Sequence, residues 1–301
     1  MHLVMADVVL IGAPHLSANP VSDFEQLTAF PFMVNALEAG TIVAVMAAIT
    51  GWFMVLRRQS FAGHTLSTMS FPGASGAALA GLPIASGFFV FSTLGALVIA
   101  TASSNSGQRS FAQESAVIGA VQAFGFAAGF VFLSLYHGVL ESLETLLFGS
   151  FLGISHGQVV TLAAIAALTL VFFAVTGRAL FFASVDEQVA RAHGVPVRGL
   201  AVAFLLVLGL AVAATAQITG VLLVFALLIA PAAAAQQFTA RVGLGLVLSV
   251  VIALVVTWVG LGLAYFTNDP VGFYITTVAF AVYLIARAAG ALRGRSRPRA
   301  D

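Results

Sequence analysis

The chain has 301 residues, of which 12 are basic and 11 acidic, while 60% are apolar. A soluble globular protein carries about a quarter charged residues, and here the share is 8%. That deficit excludes an ordinary water-soluble enzyme and a disordered chain, neither of which stays solvated with so little polar surface, so the solvent is largely lipid.

Residues 1–30 contain no basic residue and lack the charged start of a secretory signal. The apolar run from Leu3 to Ile11 is too short to cross a bilayer, so the segment reads as an external or interfacial lead-in, with a misplaced start codon as the alternative. Stretches free of Asp, Glu, Lys and Arg then cover 39–56, 59–108, 115–140, 145–177, 199–240, 242–268 and 270–286. Crossing a core of about 30 Å takes roughly 20 helical residues. The stretch 59–108 is therefore read as two spans divided at Gly81-Leu82-Pro83, and 199–240 as two divided at the polar break Gln217-Ile218-Thr219-Gly220. The expected fold is all-α, a polytopic integral membrane protein with nine transmembrane helices.

Basic residues in short loops are retained on the cytoplasmic side. If the first span ends in the cytoplasm at Arg57 and Arg58, then Arg109, Arg178, Arg191, Arg198, Arg241 and Arg287 also fall inside, as do Arg293, Arg295, Arg297 and Arg299. All twelve arginines are placed inside by nine spans with the N terminus outside and the C terminus cytoplasmic. Residues 31–290 are thus expected to form one transmembrane domain, followed by a basic cytoplasmic tail over 291–301. The longest cytoplasmic insertion is about 20 residues, too short for a catalytic domain of the usual 50 or more.

The remaining exclusions concern partners. A net charge of +1 gives no patch able to displace counterions from nucleic acid. Without cysteine there is no thiol chemistry. Without lysine there is neither a P-loop nor a Schiff-base amine, so any nucleotide-driven step belongs to a partner.

Four groups of residues are candidates for chemistry. Glu38, near the start of the first span, is a pathway residue or an interfacial carboxylate. After that span, His64, Ser67, Thr68 and Ser70 crowd the start of the second, with His64 and Thr68 on one face at i, i+4. Such groups face a water-filled path or tie helices together through hydroxyls. On the outer side His137, Glu141 and Glu144 share a face at i, i+4, i+7, a rim that is either solvated or able to hold a divalent cation. In the cytoplasmic insertion near 185–195, Asp186 and Glu187 suit a helix N-terminus, Gly194 its cap, and Pro196 prevents continuation. That helix either lies at the interface or docks a soluble subunit. Pro231 bends the span that holds it, and the alanines after it permit close approach.

Taken in order, these segments resemble the permease subunits of the ABC-3 family, the membrane components of bacterial zinc, manganese and iron ABC importers. The resemblance covers roughly residues 30–290. It is carried by Val55-Leu56-Arg57-Arg58 with Phe61, Gly63, Ser67 and Pro72-Gly73, then by Leu147 to Ser155, by the Asp186 to Gly194 helix, and by Gly220-Val221-Leu222-Leu223 through Pro231-Ala232. It implies a non-catalytic subunit of the bacterial plasma membrane, paired with a second permease copy as a homodimer. It further implies two cytoplasmic ABC ATPase subunits and an extracytoplasmic protein that delivers the metal. No cofactor is held covalently, and ATP acts only through the partner. Asp186, Glu187, Ala190 and Gly194 then belong to the helix that transmits motion from the ATPase.

One departure concerns the path. The family pattern in the second span is Gly-Asp-x-x-Ser-His followed by Pro-Gly, and here the Asp and His positions hold His64 and Thr68. Loss of the carboxylate weakens affinity for hard ions such as manganese, while imidazole still suits zinc or iron. Two other functions compete: a secondary transporter or channel working alone, for which only Glu38 and His64 offer ionisable coupling groups, and a purely structural membrane subunit.

Overall fold

A computed structural model describes residues 20–104, 111–136, 153–221, 224–267 and 269–295, and every regular element among them is an α-helix. In chain order these are α1 (Pro20–Thr28), α2 (Pro31–Leu56), α3 (Ser60–Leu79), α4 (Ile84–Ser104), α5 (Phe111–Leu135) and α6 (His156–Val185). They continue with α7 (Glu187–Ala192), α8 (Val197–Thr219), α9 (Val224–Phe238), α10 (Val242–Thr267) and α11 (Val271–Arg295).

The helix ends follow local chemistry. Pro31 opens α2, where its missing N–H is no loss and its fixed φ is helical. Ser155 opens α6 with a capping box: Gln158 N donates to Ser155 Oγ at 3.3 Å and Ser155 N donates to Gln158 Oε1 at 2.9 Å. At the end of α2, Arg58 N donates to Val55 O and Gln59 N donates to Met54 O, the Schellman arrangement. The same arrangement closes α3 around Gly81 and α7 around Gly194.

Each of the nine stretches expected to span carries a helix, and seven of these are long and apolar enough to cross a membrane by themselves. Of the other two, α3 is diluted by its serines, threonines and histidine, and α9 has 15 residues, about 22 Å of helix against a 30 Å core. The polar break at 220 is enclosed by protein. Gly220 and Val221 are buried, so α9 begins inside the bundle.

The bundle is organised around α2, α3 and α8, each buried over more than half of its residues. α3 packs against α4, α5 and α8, while α2 packs against α6, α9 and α10, and α11 covers α9 and α10. Buried polar residues among those described are all serine or threonine. Large apolar side chains point outward instead, with Phe124 74% and Val175 77% exposed. Such a surface is stable against acyl chains and would associate in water.

Hydrogen bonds define the two ends. At one, Tyr265 Oη donates to Gln26 O at 3.3 Å and Asn35 Nδ2 to Ile154 O at 3.1 Å, bringing together α1, the start of α2, the segment before α6 and the end of α10. At the other, Arg57 Nη1 donates to Ser184 Oγ at 3.2 Å and Gln236 Nε2 to Trp52 O at 3.5 Å. The described arginines, Arg57, Arg58, Arg178, Arg191, Arg198, Arg241, Arg287, Arg293 and Arg295, all lie in the half of the bundle belonging to this second end.

Gly73 and Gly87 set the closest approach between α3 and α4. A Cβ on Gly73 would lie 2.2 Å from Gly87 O, and one on Gly87 would lie 2.0 Å from Gly73 O. Here backbone touches backbone. Gly73→Ala and Gly87→Ala are each expected to destabilise the detergent-solubilised protein by about 1–3 kcal/mol, the usual cost of overpacking, seen as a lower thermal midpoint. Gly119→Ala, where a Cβ meets nothing within 4 Å, should leave the midpoint unchanged or slightly raised. Equal midpoints for all three variants would mean that this contact is looser than described.

Candidate functional site

The interior site forms where α3 meets the junction of α8 and α9. α8 ends at Thr219, and Gly220 at φ +77° turns the chain, a left-handed conformation that a Cβ would oppose. Non-helical backbone at membrane depth occurs where it lines a cavity or is enclosed by protein. Two buried polar atoms at this junction have no hydrogen-bond partner: Nδ1 of His64 on α3 and Nε2 of Gln217, three residues before the turn. His64 lies against the first turn of α9, with its ring 5.0 Å from the Phe225 ring in edge-on geometry. An unpartnered imidazole nitrogen in a low-dielectric core is costly to maintain, and in the tautomer protonated at Nε2 its lone pair is a donor for a borderline metal ion.

The neighbouring hydroxyls are committed to the helices. Ser67 Oγ donates to His64 O at 2.7 Å and Thr68 Oγ1 to Thr65 O at 2.8 Å. Thr65 Oγ1 donates to Gln122 Oε1 of α5 at 3.3 Å. Ser70 and Ser92 share a bond of 3.2 Å between α3 and α4, and Ser92 Oγ also contacts Leu66 O at 3.2 Å. Thr68, buried beside His64 on the same face, presents only oxygen lone pairs.

Glu38 does not join this group. It is exposed on α2, eighteen residues before the helix end and thus about 27 Å from it. His64 is only four residues into α3, at the arginine-bearing end. His137, Glu141 and Glu144 lie outside the described residues. Among the described residues no three His, Cys, Asp or Glu side chains converge as a metal cage. Gln217 and Phe225 are contributions the chain pattern did not single out. Gln217 served only as a polar break, and nothing in the order of residues places Phe225 over an imidazole.

The segment between α6 and α8 folds as its residues suggest. Asp186 Oδ1 accepts from Val189 N at 3.0 Å, Glu187 pairs with Arg191 one turn on, and Gly194 takes φ +78°. Ala190 is fully buried against Ala183 and Val197, with Phe182 and Val195 alongside. His193 Nδ1 lies 2.9 Å from Val189 O. The opposite face of α7, with Glu187, Gln188, Val189 and Arg191, is exposed.

The chain is similar to known proteins over most of its length. The model of the ABC 3 transport family matches residues 29–290. The manganese transport system membrane protein MntC of Halalkalibacterium halodurans is 27% identical over 263 residues, 87% of this chain and 89% of its own. The chelated iron transport system membrane protein YfeC of Yersinia pestis is 28% identical over 257 residues, 85% of this chain and 86% of its own. Among solved structures, PsaBC from Streptococcus pneumoniae in complex with Fab superposes with a TM-score of 0.77 at 26% identity, over 88% of this chain and 94% of that one. With a family model matched across nearly all of its helical bundle, this multi-pass membrane protein belongs to the ABC-3 transport family.

Proposed function

We propose that the chain is the permease subunit of an ATP-driven importer and provides the path for a divalent metal ion: zinc, manganese or iron. The observation that carries this reading is the nearly end-to-end similarity to membrane proteins of manganese and chelated-iron transport systems. On this reading a binding protein delivers the ion at the arginine-free end, ATPase subunits dock at the other, and a second copy of the chain completes the path. The buried Nδ1 of His64, unpartnered and set against the first turn of α9, supports a site there. His64 is the first candidate for the path, with Thr68 beside it as an oxygen donor, Glu38 at a separate level, and the rim of His137, Glu141 and Glu144 at the outer mouth. Replacement of the family's aspartate by His64 favours borderline ions over hard ones. The exposed face of α7 is the ATPase-docking surface, with Asp186, Glu187 and Gly194 open to a partner, while Ala190, buried beneath it, fastens the helix to the bundle instead of touching the ATPase.

The charge pattern supports nine crossings with the N terminus outside and the C terminus in the cytoplasm. Natural absence of cysteine permits a direct test with single-cysteine variants and a membrane-impermeant thiol reagent. Asp269→Cys is expected to label in intact cells, and Ala192→Cys only after permeabilisation. The reverse pattern would invert the topology.

Metal uptake in vesicles is expected only when the chain is combined with its ATPase and binding protein, and accumulation by the chain alone without ATP would defeat the reading. Partners outside a metal's ligand shell are already worth about 10–100-fold, so His64→Ala should lower uptake at least about tenfold. His64→Asp should shift preference from zinc toward manganese. Uptake unchanged in both variants would remove His64 from the path.

Asp186→Ala and Glu187→Ala remove the cap of α7 and its ion pair, a change of about 1 kcal/mol in a six-residue helix. Co-purification of the ATPase is expected to fall while the thermal midpoint of the bundle is kept. Undiminished co-purification would place the docking surface elsewhere.

A further inference from the structure

We infer that Arg57 is the joint through which movement of α7 reaches α3, a positioning residue for transport. The inference rests on α7 being the ATPase-docking element. Arg57 is the half-buried C-cap of α2, and its guanidinium reaches three other elements. Nη1 donates to Ser184 Oγ in the last turn of α6 at 3.2 Å. Nε donates at 3.2 Å to Oε1 of Gln59, the N-cap residue of α3. The guanidinium carbon lies 5.2 Å from the centroid of the Phe204 ring on α8, a side chain with no solvent exposure. A planar fork with directed N–H groups and a stacking face makes these attachments together, which an ammonium group does not.

Both sides of the joint are stiff. Ser184 lies two residues before Asp186, the capping residue of α7, and its own hydroxyl donates to Leu180 O at 2.5 Å. α7 is fastened to the same stretch through buried Ala190 against Ala183, and through the Phe182 ring, which meets His193 edge-on at 5.8 Å. A displacement of α7 therefore carries Ser184 with it. On the far side, Gln59 O accepts from Gly63 N at 3.0 Å. Gly63 rests against the buried Met54 side chain of α2, where a Cβ would lie 2.2 Å from Sδ. The next residue is His64. Between the two helices Arg58 holds φ +56°, the one positive φ at a non-glycine position among the described residues. Surroundings must enforce such a conformation on an L side chain. The α2–α3 turn thus has no slack in which a push on Arg57 could be absorbed.

The test uses the complete importer, with ATPase and binding protein, reconstituted in vesicles and supplied with zinc, manganese or iron. ATP hydrolysis and metal uptake are measured together. Arg57→Met keeps the apolar stem and removes the fork. Its ATPase subunits should still co-purify and hydrolyse ATP, while metal taken up per ATP falls about tenfold, within the range of coupling between sites. Arg57→Lys should not restore the ratio. Ser184→Ala, which removes one bond, should lower it by about two- to fivefold, and Arg57→Met combined with Ser184→Ala should be no worse than Arg57→Met alone. An unchanged ratio in Arg57→Met, recovery in Arg57→Lys, or additive losses in the double variant would overturn the joint. If Arg57→Met does not fold, an unchanged ratio in Ser184→Ala overturns it alone. Co-purification of the Asp186→Ala and Glu187→Ala variants tests the docking reading separately, so normal docking with full coupling in Arg57→Met would sink the joint and leave that reading intact.

Discussion

Within hydrocarbon no water is present to satisfy a backbone N–H or C=O, and this constraint governs the rest of the molecule. It makes every described regular element a helix and leaves backbone breaks only where protein encloses them, as at Gly220. It also removes the usual drive for helix association, because acyl chains are as apolar as leucine. Close approach and hydroxyl bonds replace it. Gly73 and Gly87 let two backbones touch, and Ser249 Oγ donates to Ala48 O at 3.2 Å across α10 and α2.

The same constraint explains where charge is found. A charge at membrane depth is costly, so the described arginines collect at one end of the bundle and the buried polar residues are small hydroxyls. Against that background, an imidazole nitrogen without a partner stands out more than a carboxylate on an exposed helix face. His64 and Glu38 are both candidates on the chain pattern alone. Burial separates them, because one faces a broken helix in the interior and the other faces outward.

The arginine-bearing end is built with less give than a loop-linked bundle suggests. α7 is welded to its flanking helices by Ala190, and the turn after α2 is held by three backbone bonds from Arg57, Arg58 and Gln59. Rigid connections of this kind pass displacement along instead of dissipating it, which is what the proposed link from α7 to α3 requires.

Residue order alone determined the solvent, the helical class, the positions of the spanning stretches, the clustering of arginines and the capped helix at Asp186 to Gly194. These rest on local rules: run length against bilayer thickness, turn residues, and side chains that cap their own backbone. Tertiary structure decided what those rules cannot reach. It buried the break after Thr219, because α9 is too short to cross the core by itself. It brought Phe225 against His64 and Arg57 against Ser184, 127 positions apart in the chain. Such pairings depend on which helix faces meet, and in a chain apolar on nearly every face periodicity carries little record of that choice.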